Sequence, residues 1–559
     1  MDLQRLFLSL IFFFSIFLLW DAWERQQHPP VAQASAQPPV AASGVAAASA
    51  PAATAEGAKP GTAAAQLPSA TEAAKSGKKI QVKTDILAAE INTVGGTLQR
   101  LELVKHRAVE GDKPFVLLQK RDEHTYVARS GLLGDGLPKH NTEFASSDDK
   151  VELAEGKDTV QVRLTAASDA GVKVVKVYTF HRGSYVIDVG YEIENGGATP
   201  ISPSAYYELV RDSSNPPGDS KFVPTYTGPA VYTEQGKYQK ISFSDIEKKE
   251  KENTDKNAPV YLPQANNGWI AMEQHYFVSA WVPKAGAQRE FFTRQVDGNL
   301  FSAGVRLALP AIEPGKSAST SMTLYAGPAQ SSLDSIAPEL GRTVDYGVFT
   351  VIAKPLFMGL AYIHGWVQNW GVAIIILTIL IKLVFFPLSA ASYRSMARMR
   401  VVAPKLEKIK QQYGDDRERL HKAMMELYKT EKINPMGGCL PMVIQIPVFI
   451  SLYWAILTSV ELRHAPFFAW ITDLSSPDQY YVLPLIMGAS MLLQSKLNPA
   501  PADPLQARIM QIMPVVFSVV FFFFPAGLVL YSVVNNVLSI AQQWVITRGA
   551  EKDKEKTKA

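Results

Sequence analysis

The stretch that decides the fold class is ILTILIKLVFFPLS, residues 376–389. It belongs to an apolar run that predicts a membrane-spanning helix over about residues 366–388, with Lys382 as the only ionisable side chain in its interior. Four further apolar runs follow, at about residues 435–460, 480–497, 509–525 and 527–546. Together they predict a polytopic α-helical membrane protein with a five-helix core over residues 366–548.

A sixth transmembrane helix is predicted at the N-terminus, where Arg5 precedes an apolar run over residues 6–20. A cleaved signal peptide is the alternative, but the run is long for one, so the pattern favours an uncleaved anchor over residues 1–27. Residues 28–79 are rich in Ala and Pro and carry almost no charge. This composition predicts a disordered tether.

Residues 80–340 change to a β-rich pattern. Residues 172–180 and 185–194 are rich in β-branched and aromatic side chains, and the HRGS stretch between them predicts a hairpin. We therefore expect an all-β domain, a sandwich or several packed sheets, with a charged loop at residues 248–256. The single cysteine, Cys439, allows no intrachain disulfide, so the domain must be held together by its core.

The loop at residues 389–434 indicates the orientation in the membrane, because it carries eleven Lys and Arg residues. Basic loops stay in the cytoplasm. This predicts that both termini, including a charged tail at residues 549–559, are cytoplasmic and that residues 80–340 lie on the outer side. An amphipathic segment at residues 341–365 is expected to lie along the membrane surface.

The same basic loop has a helical pattern, and Gly414 followed by two aspartates divides it, which predicts a helical hairpin over residues 389–434. Its basic side is either a solvated face that only fixes topology, or a docking surface for an acidic partner, lipid headgroups or ribosomal RNA. The candidate docking residues are Arg394, Arg398, Arg400, Lys405, Lys408, Arg417 and Arg419. The net charge of the whole chain, +4, is too small to indicate a nucleic-acid-binding protein.

Polar side chains inside the spans mark the candidate functional site. Lys382 has Thr378 four residues earlier on the same helix face, and the last span carries a continuous polar stripe. The candidate site residues are Lys382, Thr378, Gln445, Gln511, Tyr531, Ser532, Asn535, Asn536 and Ser539. Two alternatives remain open: hydrogen bonds that join the helices, or a hydrated cavity with one positive charge that receives a polar or acidic peptide segment.

Other classes of protein fit the sequence less well. A transporter or channel for small solutes is the main alternative, but no internal repeat is found and five core spans do not divide evenly. An intramembrane enzyme lacks support, since there is no HExxH motif and no Asp inside a span. Gly315-Lys316-Ser317 ends like a nucleotide-binding loop, but Pro310 stands where its first glycine belongs. We therefore expect no enzyme activity, no nucleotide, no cofactor and no metal.

Three stretches carry a resemblance to a known family: NPMGGCLPMVIQIPVFISLYW at 434–454, SVELRHAPFFAWITDLSSPDQYYVLPLIMG at 459–488, and FPAGLVLYSVVNN at 524–536. Over residues 350–548 the chain resembles the YidC/Oxa family of membrane protein insertases. The anchor, tether and β-domain are similar in architecture to the Gram-negative branch of that family. The resemblance implies an energy-independent insertase of the bacterial inner membrane, which integrates and helps to fold other membrane proteins, alone or with the Sec translocon.

The resemblance also implies roles for particular residues. The family's hydrophilic groove carries one positive charge on its first core helix, usually Arg, and Lys382 occupies that position here, with Thr378 as a groove position. On the last helix the substrate-facing position corresponds to Ser532, beside Tyr531. The hairpin implies contacts with the ribosome, the targeting receptor and the Sec translocon. The β-domain is expected to be the family's super-sandwich, without catalytic function.

Overall fold

The computed structural model describes residues 77–558 apart from gaps at residues 110, 122–123, 169–170, 217–224, 253–260, 348, 415, 432–439 and 498–503. The chain divides into two compact units, with the boundary between Thr343 and Val344. The predicted anchor, residues 1–27, and nearly all of the predicted tether, residues 28–79, lie outside the described residues and stay predictions.

The first unit contains two large sheets. The ten-stranded sheet has the spatial order β13 (Gln264–Ala265), β16 (Arg289–Asp297), β17 (Leu300–Ala308), β10 (Ser204–Asp212), β5 (Thr125–Leu133), β4 (Pro114–Lys120), β3 (Thr97–Arg107), β2 (Leu87–Asn92), β1 (Lys79–Lys83) and β6 (Lys150–Glu152). The eight-stranded sheet has the order β12 (Lys237–Lys240), β11 (Gly228–Thr233), β14 (Trp269–Gln274), β15 (Phe277–Val282), β18 (Ser317–Pro328), β9 (Val186–Asn195), β8 (Val172–His181) and β7 (Thr159–Ala167). Adjacent strands are antiparallel, except that β1 and β6 pair in parallel.

Aromatic side chains join the two sheets. The ring of Tyr207 on β10 lies 5.1 Å from that of Trp281 on β15 and 6.1 Å from that of Tyr191 on β9, measured between centroids. The phenol of Tyr191 also shares a 2.8 Å hydrogen bond with the hydroxyl of Ser130 on β5. These groups are fully or almost fully buried, so the sheets enclose one hydrophobic core. The prediction of a β-rich domain is confirmed, and strands β8 and β9 form the predicted hairpin.

The predicted charged loop at residues 248–256 is wrong in its first part, because Phe243–Glu252 form a helix, α1. Ser242 and Asp245 cap it reciprocally. The Ser242 hydroxyl accepts a 3.1 Å hydrogen bond from the Asp245 N–H, and the Asp245 carboxylate accepts one of 3.3 Å from the Ser242 N–H. Ile246 on the inner face of the helix is buried, and the ring of Phe243 lies 4.8 Å from that of Phe301 on β17, measured between centroids. The cap and these two apolar contacts stabilise a helix whose other residues are mostly charged.

The second unit is helical. Its helices are α2 (Thr350–Val367), α3 (Trp370–Val384), α4 (Phe386–Tyr413), α5 (Arg417–Thr430), α6 (Leu440–Thr458), α7 (Val482–Leu497), α8 (Pro504–Val520) and α9 (Ala526–Lys558). Short 3₁₀ helices lie at Val460–Leu462 and Phe521–Phe523 here, and at Ser331–Ser335 and Leu340–Thr343 in the first unit. Helix α9 packs against α3, α4 and α7, so it is central to the bundle.

Helix α3 is shorter at both ends than the span predicted at residues 366–388. Helix α2 ends at Gln368 in a left-handed conformation, with φ of 52°, and Asn369 then caps α3 by accepting a 3.0 Å hydrogen bond from the Val372 N–H. At the other end α3 and α4 meet at an angle of 67°. Pro387 lies in the first turn of α4, where its missing N–H is tolerated.

Only part of the predicted membrane topology is visible in the described residues. There one helix segment, Ala526–Gly549 of α9, is long and apolar enough to cross a membrane by length and composition. A second is reached if Trp370–Val384 and Phe386–Met399, the bent pair of α3 and α4, count as one span. The apolar segments Gln445–Thr458, Val482–Leu497 and Gln511–Phe523 are shorter. The count of six transmembrane helices is therefore not confirmed and stays a prediction.

Candidate functional site

The polar stripe of α9 divides between two sides of the helix. On one side the Asn536 amide donates a 3.2 Å hydrogen bond to the Ser490 hydroxyl on α7, and the Gln543 amide donates one of 3.0 Å to the Leu497 carbonyl. On the other side Asn535 and Ser539 face α3 and α6. The first group joins α9 to α7, which is the interhelical bonding that the sequence allowed as one alternative.

Lys382 lies in the last turn of α3 and reaches across to α9. Its ammonium donates a 2.7 Å hydrogen bond to the Ser539 hydroxyl. Ser539 in turn donates a 2.7 Å hydrogen bond to the main-chain carbonyl of Asn535, one turn earlier. The charge is thus held at a defined place between two helices.

A small cavity of about 30 Å³ lies beside this contact. It is lined by Ile381, Lys382, Phe385, Leu388, Ser389, Gln445, Val448, Tyr531 and Asn535. Gln445 on α6 donates a 3.3 Å hydrogen bond to the Tyr531 phenol at the wall of the cavity. The side-chain oxygen of Asn535 is buried and has no hydrogen-bond partner among the described residues. A small cavity with one cation and a few polar side chains among apolar ones therefore lies between these helices.

The structure brings together some of the predicted site residues and separates others. Lys382, Gln445, Tyr531 and Asn535 line the cavity, and Ser539 contacts Lys382 directly. The remaining predicted residues, Thr378, Gln511, Ser532 and Asn536, do not line it. The hydroxyls of Thr378 and Ser532 donate to carbonyls of their own helices, at 2.7 and 2.9 Å, and Asn536 is bonded to α7. Gln511 is exposed on α8.

The predicted docking residues lie on the two helices of the hairpin, α4 and α5. Asp416 caps α5 by accepting a 3.1 Å hydrogen bond from the Arg419 N–H. The Lys405 ammonium lies 2.6 Å from a carboxylate oxygen of Glu431, which ties α4 to the end of α5. The predicted docking residues whose side chains are described are exposed: Arg394, Arg398, Lys405, Lys408 and Arg419. The side chains of Arg400 and Arg417 lie outside the described residues.

A buried charge cluster in the first unit was missed by the sequence reasoning. Glu208 on β10 is fully buried and accepts hydrogen bonds from Arg129 at 2.6 Å, Arg294 at 3.3 Å and Ser302 at 2.5 Å. Burial alone would raise the pKa of Glu208, but the two guanidinium groups outweigh it and lower the pKa to about 2. Burial and the nearby Arg129 charge also lower the pKa of His140 to about 4. The cluster links four neighbouring strands, so its evident role is structural.

The first unit consists of two packed sheets, and the second consists of apolar helices with one cation among polar side chains. This combination is typical of membrane proteins with a helical core and a separate β-domain. Comparison with known families makes the assignment specific. Residues 79–358 match the family described as the YidC periplasmic domain, and residues 362–554 match the 60Kd inner membrane protein family. The chain belongs to the YidC family, whose members are located in the bacterial inner membrane.

Relatives match over almost their whole length. A protein of Methylobacillus flagellatus, named membrane protein insertase YidC, is 54% identical over 100% of this chain and 99% of its own. Proteins with the same name from Nitrosospira multiformis and Nitrosomonas europaea are 53% and 52% identical, over 99% and 98% of this chain and 98% and 91% of their own. A crystal structure described as the active YidC insertase aligns with 84% of this chain and 92% of its own at 17% identity, with a TM-score of 0.37.

Proposed function

We propose that this chain, a membrane protein insertase like its relatives, brings polar segments of nascent membrane proteins across the membrane along the helix faces that meet at Lys382 and the small cavity beside it. The observation that carries the proposal is the convergence of Lys382, Gln445, Tyr531 and Asn535 on one cavity between apolar helices. Polar side chains buried in a membrane protein are costly and usually mark a pathway. Here they supply hydrogen bonds and one positive charge to a segment that must leave water.

The charge favours acidic segments. Two opposite charges 4 Å apart attract each other by about 4 kcal/mol at the effective dielectric constant of a partly hydrated site. That attraction offsets part of the cost of taking a carboxylate out of water. The role of Lys382 is therefore that of a charge attractor, and no covalent chemistry, nucleotide or cofactor is needed. The hydrophobicity of the substrate and the membrane potential then drive insertion.

The proposal includes six transmembrane helices with both termini in the cytoplasm and residues 80–340 in the periplasm. Helix α2 supports an interfacial position before the core, because it exposes large apolar side chains, Val351, Tyr362 and Trp366 among them. The basic hairpin of α4 and α5 lies on the cytoplasmic side, as basic loops do. Its partners are the ribosome, the targeting receptor, the Sec translocon and lipid headgroups. The relatives are named insertases, which favours insertion of proteins over transport of small solutes.

The test is insertion by the purified full chain in proteoliposomes without nucleotide. A single-spanning protein with an acidic translocated tail is added, and protection of that tail from external protease is measured over time. We expect protection well above that in empty liposomes, and a slower rate for Lys382→Met, which keeps the length of the side chain but removes its charge. Lys113→Met, at an exposed position of the β-domain, is the matched control.

One outcome would contradict the insertase function, and another would contradict only the role of Lys382. Wild-type protein that is folded and correctly oriented, yet protects no more tail than empty liposomes, would exclude autonomous insertion. Equal rates for the wild type and Lys382→Met would exclude the charge attractor while leaving insertion itself intact.

A further inference from the structure

Two residues of α9 lie next to Lys382, Ser539 and Asn535, and they differ in their hydrogen bonds. Ser539 accepts one N–H of the ammonium at 2.7 Å and is itself fixed by donating to the Asn535 carbonyl. An ammonium has three N–H donors, so this bond positions the charge without using all of them. Lysine has a flexible side chain that ends in a single charged atom. The bond to the Ser539 hydroxyl therefore fixes the position of the ammonium group, which the flexible lysine side chain alone would not fix.

Asn535 presents a different feature. The residue lines the same cavity as Lys382, and its side-chain oxygen is buried and has no hydrogen-bond partner among the described residues. Buried acceptors are nearly always paired in folded proteins, because an unpaired one costs free energy. This acceptor is therefore left for a donor that enters the cavity and displaces the side chains that now cover it. It lies within one helical turn of Ser539, the residue that holds the charge.

We propose that Lys382 and Asn535 form a two-point binding site for the main chain of an extended peptide segment, with Ser539 as the positioning residue. The inference rests on the proposed insertase function and specifies its substrate. The ammonium binds a carboxylate or a main-chain carbonyl of the segment. The Asn535 oxygen accepts a main-chain N–H.

The site would favour extended segments over helical ones. An extended chain in a membrane carries unpaired N–H groups, and each is costly to bury. Inside a helix most of those groups are already bonded to the chain's own carbonyls, apart from the first four. An acceptor within the bundle thus lowers the barrier for a segment that crosses before it folds. Charge on the segment is a second and separate determinant.

The experiment crosses protein variants with substrate variants in the same protease-protection assay. Four substrates differ only in the tail that is translocated. The tail is acidic or neutral, and each of these is made in two forms. One form has main-chain N–H groups throughout, and in the other alternate residues are replaced by proline, which lacks the N–H. For the wild type we expect the proline-substituted neutral tail to insert about three- to tenfold more slowly, the effect of one hydrogen bond. Asn535→Leu should lose this difference while keeping its preference for acidic tails.

Ser539→Ala should show the opposite pattern, with a reduced preference for acidic tails and an unchanged response to proline. Ser539→Thr keeps the hydroxyl and should restore the preference, which a merely structural role would not explain. Ser495→Ala is the matched control, because that exposed serine bonds a carbonyl of its own helix at 2.8 Å and lies outside the cavity. If Asn535→Leu accumulates poorly, Asn535→Ala serves for the same comparison.

The inference is overturned if Asn535→Leu slows both the proline-substituted and the unsubstituted tails equally, or neither. It is also overturned if Ser539→Ala keeps the full preference for acidic tails. The wild type must insert the unsubstituted acidic tail in every run, and a failure of that control would contradict the proposed function rather than this site.

Discussion

The Nε atom of Arg129 donates a 2.6 Å hydrogen bond to the carboxylate of Glu208, across the paired strands β5 and β10. Arg294 approaches the other oxygen of the same carboxylate from β16. The side chain of Glu208 is fully buried, while the side chains of Arg129 and Arg294 are 12% and 22% exposed, so the carboxylate depends on these partners to stay charged. These buried ion pairs stabilise the β-domain. None of their residues belongs to the candidate site in the helical unit.

Removing the charge of Glu208 should destabilise the β-domain strongly. Glu208→Gln leaves two arginines beside a neutral amide, and breaking a buried pair in this way costs about 3–5 kcal/mol. The measurement is the denaturant midpoint for protease cleavage within residues 79–343 of the full chain in detergent. Glu192→Gln is the matched control, because its ion pair with Arg163 is about half exposed, at 49% and 50%, and is worth about 0–1 kcal/mol. Similar midpoints for the two variants would contradict the role of the cluster.

The β-domain should lose stability on mild acidification because of His140. Its pKa is lowered from 6.5 to about 4 in the fold, so the unfolded chain takes up the proton first. The stability from neutral His140 is therefore present above pH 6.5 and lost as the pH falls towards 4, on the order of 3 kcal/mol in total. Glu208 acts in the same direction at lower pH, between its ordinary 4.5 and about 2.

Hydrogen exchange of strand β10, corrected for the intrinsic pH dependence, measures this effect in the full chain. His140→Gln should flatten the decline between pH 6.5 and 4 and leave the decline below pH 4.5. An unchanged slope in that variant would show that another group titrates there.

The sequence predicts the polar stripe of α9 but not its division. Asn535 and Asn536 are neighbours, so they point about 100° apart around the helix. One lines the cavity and the other bonds Ser490 on α7. Spacing alone assigns both to one stripe, because the positions of α3, α6 and α7 around α9 decide which side of the helix each residue meets. Lys382 was found from the sequence because a cation inside an apolar run needs no packing information.

The Glu208 cluster could not be predicted for a similar reason. Arg129, Glu208, Ser302 and Arg294 lie on four strands and meet only through the register of β5, β10, β17 and β16. Arg294 and Ser302 pair locally across the hairpin of β16 and β17. The pairing of β10 with β5 and with β17, however, joins segments about 80 to 90 residues apart, and no turn between them indicates its register. The strand pair β8 and β9, in contrast, was predicted because a short turn joins two alternating runs.

The close approach of α7 and α8 at Gly488 should not tolerate a larger residue. A Cβ atom there would lie 2.7 Å from the Ser518 hydroxyl oxygen, which is itself held by a 2.8 Å hydrogen bond to the Pro484 carbonyl. Gly488→Val should therefore destabilise the helical unit by about 1–3 kcal/mol. Thermal unfolding in detergent measures the change. Gly365→Val is the control, since a Cβ at that helical glycine meets nothing within 4 Å, and an equal loss in both variants would contradict the steric argument.

Reversing the charge at Lys382 should reverse the preference of the insertase for its substrates. Lys382→Glu places a carboxylate beside the cavity, where it repels acidic tails and attracts basic ones, whereas Lys382→Arg keeps the positive charge and a donor for Ser539. We expect the ratio of insertion rates for acidic and basic tails to fall about tenfold or more in Lys382→Glu, equivalent to ~1.4 kcal/mol in the barrier, and to stay near the wild-type ratio in Lys382→Arg. Lys113→Glu makes the same charge change at an exposed position of the β-domain and should leave the ratio unchanged. A ratio that moves equally in Lys382→Glu and Lys113→Glu would mean that the net charge of the protein, and not the charge beside the cavity, selects the tail.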